Sequence, residues 1–333
     1  MSLDSSGPLS GDIASWRPSI VMLRPLGLGD FLTGVPAYRA IARAFPYHRR
    51  ILAAPATLQP LASLCGAIDE IVHTLPLLPL DARLHGADLA VDLHGKGPES
   101  HRVLLAARPR RLIAFENELI PQSAGQALWN QDEHEVARWC RLLEHNGIQA
   151  DSEDLDLPLP PRVSKRGRGA TLLHPGAASE SRRWPIDRWA EVARAQSREG
   201  GHVVITGSHH EIDRARRIAQ SAGIPPKNVY AGRTNLAQLA SLVAHAAFIV
   251  SGDTGVAHLA TAFHVPSVLL FGPTDPKHWG PPQTRPYHQV LWHGETGDPH
   301  AERVDRTLQK ITVDQVLDAL NRLSSVELQH KAS

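Results

Sequence analysis

The stretch Phe248-Ile249-Val250-Ser251-Gly252-Asp253-Thr254-Gly255-Val256-Ala257-His258 decides the fold of this chain. Its first four residues form an apolar run of the kind that makes a buried parallel strand. A glycine-containing turn follows, a helix is predicted over 256–263, and another strand is predicted over 267–271. This order of strand, turn, helix and strand is the repeating unit of a doubly wound α/β sheet.

The same alternation continues along the rest of the chain, and 333 residues are enough for two domains. Between the halves, an acidic run gives way to prolines and then to a basic stretch, which is the composition of a linker. Further strands are predicted at 19–24, 50–54, 70–74, 89–93, 112–115, 170–174, 202–206 and 228–230. Helices are predicted between them, including one that ends near Phe45, one over 132–146 and a final one over 313–323.

The predicted organisation has five parts along the chain. They are a disordered tail (1–16), a first α/β domain (17–156), a linker (157–168), a second α/β domain (169–311) and a C-terminal helix and tail (312–333). In open sheets of this kind, ligands bind beyond the carboxyl ends of the strands. Two such domains therefore predict one ligand-binding cleft between them.

Composition excludes several classes of protein. Lysine and arginine number 35 against 34 acidic residues, so the basic excess typical of nucleic-acid binding is absent. Two cysteines cannot supply a disulfide scaffold or a cysteine-based zinc site. No apolar run reaches the roughly 18 residues of a membrane span, and the N-terminus lacks a signal-peptide pattern. We expect a cytoplasmic protein, with peripheral membrane contact and oligomeric state left open.

The turn after the strand at 248–251 is a candidate anion site. Unpaired N–H groups and the dipole at a helix N-terminus favour anions, and glycine permits close approach of a diphosphate. Thr254 adds a hydroxyl group, and His258 lies one turn further along the helix. The alternative is an ordinary helix cap with a packed histidine.

A second candidate follows the strand at 170–174, where His174-Pro175-Gly176-Ala177-Ala178 forms a glycine turn. Arg182 and Arg183 come shortly afterwards, before Trp184 and Pro185. Arginine suits bidentate phosphate binding, so this segment could complete the same anion site. A surface arginine pair before a capped helix is the alternative.

A third candidate is Gly27-Leu28-Gly29-Asp30, directly after the first strand. A dinucleotide fingerprint would need glycine where Leu32 stands, so a nicotinamide cofactor is disfavoured. Asp30 instead presents a carboxylate at a helix N-terminus beside the cleft, where it could accept a proton from an attacking hydroxyl. The alternative is that Asp30 only caps the helix.

Two further loops complete the candidate site. Glu211 follows the strand at 202–206 and could accept hydrogen bonds from ribose hydroxyls, or it could be an ordinary acid in a first helical turn. The adjacent His209 and His210 have no further ligands to complete a metal site, so none is predicted. The segment Phe271-Gly272-Pro273-Thr274-Asp275-Pro276, with Trp279 after it, is either a wall of the ligand pocket or a structural turn.

Taken together, these motifs resemble glycosyltransferase family 9, the ADP-heptose:lipopolysaccharide heptosyltransferases and their relatives. The resemblance extends from about Ile20 to Pro281 and continues more weakly to the last helix. Its marks are Gly29-Asp30-Phe31-Leu32 with Pro36, His174-Pro175-Gly176-Ala177 with Arg182-Arg183-Trp184-Pro185, Asp253-Thr254-Gly255 with His258, and Phe271-Gly272-Pro273-Thr274-Asp275-Pro276.

The resemblance implies a GT-B fold of two Rossmann-like domains, with the acceptor on the first and the donor on the second. It implies an inverting transfer that uses an ADP-sugar as co-substrate and needs neither cofactor nor metal. Asp30 would be the general base, and Arg182 would stand where the family usually has lysine. Gly29 and Phe31 would lie on the acceptor side. The donor-binding residues would be Gly176, Ala177, Arg182, Glu211, Asp253, Thr254, Gly255, Val256 and His258.

Alternatives remain open at the level of sequence. The near-neutral charge of the chain leaves room for a small-molecule acceptor or a different nucleotide-sugar rather than the lipopolysaccharide core. A nicotinamide-dependent oxidoreductase is a remote alternative, since the third glycine is missing. A non-catalytic sugar-nucleotide-binding module is another, and the carboxylate of Asp30 argues against it.

Overall fold

A computed structural model describes residues 17–332, so the predicted disordered tail (1–16) and Ser333 lie outside the described residues. The first domain is built on a parallel sheet with the strand order β3-β2-β1-β4-β5. Its strands are β1 (Ser19–Leu23), β2 (Arg49–Ala54), β3 (Glu70–His73), β4 (Leu89–Asp92) and β5 (Arg111–Ile113). Its helices are α1 (Leu28–Thr33), α2 (Val35–Ala44), α3 (Gln59–Cys65), α4 (Glu99–Ala106) and α5 (Glu135–His145).

The second domain is built on another five-stranded parallel sheet, with the order β10-β9-β8-β6-β7. Its strands are β6 (Ala170–His174), β7 (His202–Ile205), β8 (Phe248–Gly252), β9 (Ser267–Leu270) and β10 (His288–Leu291). Its helices are α6 (Ile186–Arg198), α7 (Ile212–Ala222), α8 (Leu236–Ala244), α9 (Gly255–Ala262), α10 (Pro276–Trp279), α11 (Arg306–Lys310) and α12 (Val313–Ala332). The predicted pair of doubly wound α/β domains is thus confirmed.

Three details of the sequence prediction were wrong. The segment 228–230 is not a strand, because it makes only an isolated bridge between Val229 and Ile205 of β7. The fifth strand of the second sheet is β10 instead. It is an edge strand whose mixed polar and apolar residues gave no alternating pattern. The helix predicted to end near Phe45 is interrupted at Gly34, where α1 stops and α2 begins.

The order of the strands places the loops that follow them. In the first sheet, the chain reverses direction across the sheet between β1 and β4; in the second, it does so between β6 and β8. Loops diverge from such a switch point and leave a crevice at the carboxyl ends of the strands. The loop after β1 and the loops after β6 and β8 therefore open into crevices.

The two domains meet most closely where α1 crosses α9. A Cβ atom on Gly255, the first residue of α9, would lie 2.6 Å from Cγ of Leu28, the first residue of α1. A Cβ atom on Gly29 would lie 3.1 Å from Cδ2 of His258. Because real Cβ atoms do not approach neighbours at the first of these distances, glycine at position 255 is what allows the helices to cross at this spacing.

The apolar contact continues behind this crossing. One cluster of buried side chains runs from Phe31 and Ile41 in the first domain to Val256, Leu259 and Phe263 in the second. Interfaces between domains of one chain are usually more polar than this. The hydrophobic core is therefore continuous across the domain boundary at this place.

Charged side chains attach residues 154–156, which directly precede the predicted linker, to both domains. The guanidinium of Arg39 donates to the Asp154 carboxylate at 2.6 Å, and Arg285 pairs with Asp156 at 2.8 Å. Helix α12 packs on the second domain, against α6, β9 and β10. None of the described helices is both long and apolar enough to cross a bilayer.

We expect Gly255→Ala to lower the stability of the chain, because the new methyl group would collide with Leu28 and force α1 away from α9. Overpacking of this kind typically costs about 1–3 kcal/mol. Thermal or urea unfolding measures the change. The matched control is Gly95→Ala, whose Cβ atom would meet nothing within 4 Å. Equal stability of the two variants would contradict the proposed need for glycine at the crossing.

Candidate functional site

A cleft of about 800 Å³ lies between the two domains at the carboxyl ends of their strands. Its walls come from the loop after β1 on one side and from the loops after β6, β7, β8 and β9 on the other. Of the residues predicted for the site, those that line the cleft are Gly29, Asp30, Ala177, Arg182, Glu211, Asp253, Thr254, Gly255, Val256 and His258.

The N-terminus of α9 forms the middle of the wall that the second domain contributes to the cleft. Thr254 is the N-cap residue in extended conformation, and its Oγ1 lies 3.0 Å from Oγ of Ser251. His258 packs edge-on against Trp279, with ring centroids 6.0 Å apart. Burial lowers the pKa of His258, although the nearby Asp253 carboxylate opposes this, so the imidazole is neutral at pH 7.

Arg182 is held beside α9 by Asp253. The Arg182 Nη1 lies 3.5 Å from the Asp253 carboxylate and donates to the Asp253 carbonyl at 3.3 Å. About a fifth of the Arg182 side chain stays exposed, whereas Asp253 is buried. The guanidinium is thus paired on one side and keeps N–H groups for an anion in the cleft.

Glu211 supports the local structure and also lines the cleft. Its Oε2 accepts a hydrogen bond from the Ser208 N–H at 2.6 Å, which closes the first turn before α7. The same carboxylate lies against Gly176, where a Cβ atom would be 2.2 Å from Oε1. Only glycine at position 176 leaves space for this carboxylate.

His174 stands next to Glu211 on the floor of the cleft. Its Nδ1 lies 2.9 Å from Oγ1 of Thr206. Burial lowers the pKa of His174, while the charge of Glu211 acts in the opposite direction. A neutral imidazole therefore faces the cleft here.

Asp30 forms the opposite wall, in the first turn of α1. Its Oδ2 accepts a hydrogen bond from the Gly27 N–H at 3.2 Å, so the residue does cap the helix. The side chain is nevertheless 29% exposed and lines the cleft. The Asp30 carboxylate can cap the helix and still face the cleft, because it has two oxygen atoms.

The structure does not bring two of the predicted residues to the cleft surface. Phe31 is 1% exposed and packs on Tyr38 in the core, because its position on α1 turns it away from Asp30. Gly176 is buried behind Ala177, where it supports Glu211. Their predicted roles as contact residues have no counterpart in this arrangement.

Several cleft residues were missed by the analysis of strand ends. Thr234, Asn235, Leu236 and Leu239 contribute at the start of α8. A strand was predicted at 228–230, shortly before this helix, but the start of α8 resembles an ordinary capped helix and was not selected as a candidate site. A signal was present, since Asn235 caps α8 and accepts from the Gln238 N–H at 2.9 Å.

The far end of the cleft is formed by segments after β9 and β10. Thr274 and Trp279, from the segment predicted as a pocket wall or a turn, both line the cleft. Pro299 and His300 join them from a loop that is tied down by a hydrogen bond from the Ser181 N–H to the Ala301 carbonyl at 3.1 Å. Nothing in the sequence around His300 indicated this position.

Among residues 17–325, whose side chains the structure describes, no group of three or more histidine, cysteine or carboxylate side chains is placed to bind a metal ion. The pair His209 and His210 stands with ring centroids 6.1 Å apart, without a third ligand. The two cysteines, Cys65 and Cys140, are both buried and free.

Comparisons with known proteins agree with this architecture. The sequence model of glycosyltransferase family 9 (heptosyltransferase) matches residues 125–311. The chain is 26% identical to lipopolysaccharide heptosyltransferase 2 of Escherichia coli K12, over 91% of this chain and 98% of that protein. It is 36% identical to lipopolysaccharide heptosyltransferase 1 of Pseudomonas aeruginosa, over 41% of this chain and 42% of that protein.

Solved structures of glycosyltransferases are also similar to this chain. The E. coli ADP-heptose lps heptosyltransferase II superposes with a TM-score of 0.72 at 25% identity, covering 93% of this chain and 99% of that one. A family 9 glycosyltransferase from Veillonella parvula superposes with a TM-score of 0.73 at 20% identity, covering 92% and 97%. The predicted GT-B fold is therefore confirmed, and the chain belongs to glycosyltransferase family 9.

Proposed function

We propose that this glycosyltransferase moves a heptosyl group from an ADP-heptose donor to a hydroxyl group of a lipopolysaccharide core acceptor, with inversion and without a metal ion. The observation that carries the proposal is the placement of the Asp30 carboxylate across one cleft from Arg182 and the N-terminus of α9. Relatives that match nearly the whole chain are lipopolysaccharide heptosyltransferases, which supports the choice of sugar and acceptor.

Asp30 is the general base of the proposed reaction. Its carboxylate takes the proton of the acceptor hydroxyl while the oxygen of that hydroxyl forms a bond to the anomeric carbon. The bond from the anomeric carbon to the diphosphate breaks on the opposite face. The nucleoside diphosphate leaves with the electron pair, so the configuration at the anomeric carbon inverts.

The donor side stabilises the charge that develops on the leaving group. The first N–H groups of α9, from Gly255 and Val256, have no partners within the helix and can donate to a diphosphate oxygen. Arg182 adds a cationic fork beside them, and Thr254 adds a hydroxyl group. His258, neutral at pH 7, can donate one N–H without carrying a charge. Fixed donors of this kind can replace a metal ion in neutralising a diphosphate.

The rest of the cleft orients the donor. Glu211 and His174 stand together on one side of α9, where a carboxylate and an imidazole can bind ribose hydroxyls. Thr274, Trp279 and His300 line the other side of α9, where the transferred sugar would lie. The acceptor enters from the first domain, past Gly29 and Asp30. An ADP-sugar co-substrate and no further cofactor are proposed on this basis.

We expect Asp30→Asn to lose transfer activity by about 10²- to 10⁴-fold, because the amide cannot accept the proton of the acceptor. Release of ADP from ADP-heptose is measured with truncated lipopolysaccharide core as acceptor. Binding of ADP should not change, because the donor contacts lie on the second domain. The matched control is Asp318→Asn, an exposed carboxylate on α12. Activity in Asp30→Asn equal to that of the control would exclude Asp30 as the base.

We expect ADP to raise the thermal midpoint of the chain more than UDP, GDP or TDP at equal concentration, since only the bound ligand stabilises the folded state. Arg182→Ala should weaken the effect of ADP by removing a diphosphate contact, whereas Arg216→Ala, at an exposed position on α7, should not. Equal shifts from all four nucleotides would exclude an ADP-specific donor site.

A further inference from the structure

Arg24 is a fully buried arginine at the end of β1 that no step of the proposed reaction uses directly. The residue is 1% exposed, and its guanidinium lies 4.8 Å from the ring centroid of Trp139. A charge is removed from water at high cost unless it is paired and hydrogen-bonded. The contacts that offset this cost therefore indicate what the guanidinium is for.

The donors of Arg24 reach four acceptors in three different segments of the first domain. Nε donates to the Asp30 carbonyl at 2.6 Å, and Nη1 donates to the Leu93 carbonyl after β4. Nη2 donates to Oγ1 of Thr33 at 3.1 Å and to Oε1 of Glu135, at the start of α5, at 2.9 Å. One planar group thus fixes the first turn of α1 to the ends of β1 and β4 and to α5.

The same guanidinium acts on the carboxylate of Asp30. Nη2 of Arg24 lies 3.8 Å from Oδ1 of Asp30, while Oδ2 of Asp30 accepts from the Gly27 N–H. Both the backbone and the side chain of Asp30 are therefore held from the buried side. The exposed part of the carboxylate faces the cleft.

We propose that Arg24 is a positioning residue for Asp30 and that Glu135 fixes Arg24 in turn. The proposal rests on the proposed role of Asp30 as general base. Arg24 holds the first turn of α1 so that part of the Asp30 carboxylate faces the cleft. Glu135 holds the guanidinium by accepting a hydrogen bond from its Nη2 at 2.9 Å.

A positioning role has a signature that a purely structural role lacks, because Arg24 lies apart from the proposed donor contacts of the second domain. Arg24→Lys should lower kcat about 10-fold or more, since the amine keeps the charge but cannot reach all four acceptors. Binding of ADP should not change. Glu135→Gln should lower kcat less, because the amide oxygen can still accept a hydrogen bond from Arg24.

The experiment measures kcat of the whole chain for transfer from ADP-heptose to truncated lipopolysaccharide core, and binding of ADP by the shift of the thermal midpoint. Arg43→Gln, which removes an exposed arginine from α2, is the control and should leave both unchanged. The double variant Arg24→Lys/Asp30→Asn tests whether Arg24 acts through Asp30. It should lose no more activity than Asp30→Asn alone, because a residue that only positions Asp30 has no further effect once that carboxylate is gone.

A lowered kcat in Arg24→Lys at unchanged ADP binding, with no further loss in the double variant, supports the proposal. Should Arg24→Lys fail to fold, a lowered kcat in Glu135→Gln with no further loss in Glu135→Gln/Asp30→Asn supports it equally. An unchanged kcat in Arg24→Lys, or losses that multiply in the double variant, overturns it. Full activity of Asp30→Asn refutes the proposed base, whereas an unchanged kcat in Arg24→Lys beside an inactive Asp30→Asn refutes the positioning role alone.

Discussion

Helices α1 and α9 touch at their N-termini, and the geometry of the cleft depends on this contact. The absence of a side chain on Gly255 lets Leu28 of the first domain pack directly on the start of α9. Asp30 lies half a turn along one helix, and Thr254 precedes the other. The proposed base and the anion site are therefore positioned by packed helices rather than by free loops, which favours a fixed separation between them.

Charge in the cleft is divided between the domains. The second domain offers Arg182, paired with Asp253, and the dipole of α9, which suits a diphosphate. The first domain keeps its cation, Arg24, buried behind Asp30, so that only the carboxylate reaches the cleft. Neutral imidazoles at positions 174 and 258 complete the lining without adding charge at pH 7. A cation on the donor side and an anion on the acceptor side thus face each other across the reaction path.

The sequence was sufficient where a local pattern determines the structure. Apolar runs located nine of the ten strands, and the loops after them located Asp30, Arg182 and Thr254. The polar edge strand β10 carried no such pattern and was missed, and the cleft residues at the start of α8 were missed because they resemble an ordinary capped helix. The contacts of Arg24 could not be predicted from a local pattern, because its partner Glu135 is 111 residues away in the sequence and only the folded chain brings the two together. Phe31 was assigned to the acceptor side by the family resemblance, but adjacent helical residues point in different directions, and Phe31 points into the core.

Each sheet is formed by one uninterrupted half of the chain, and α12 remains with the second half. During synthesis the first sheet can therefore form before the second half has left the ribosome. The apolar side chains of α1 that belong to the continuous core would then face water until α9 arrives to cover them. The shared core that holds the finished cleft rigid is, in the nascent chain, an exposed surface on which a chaperone could act.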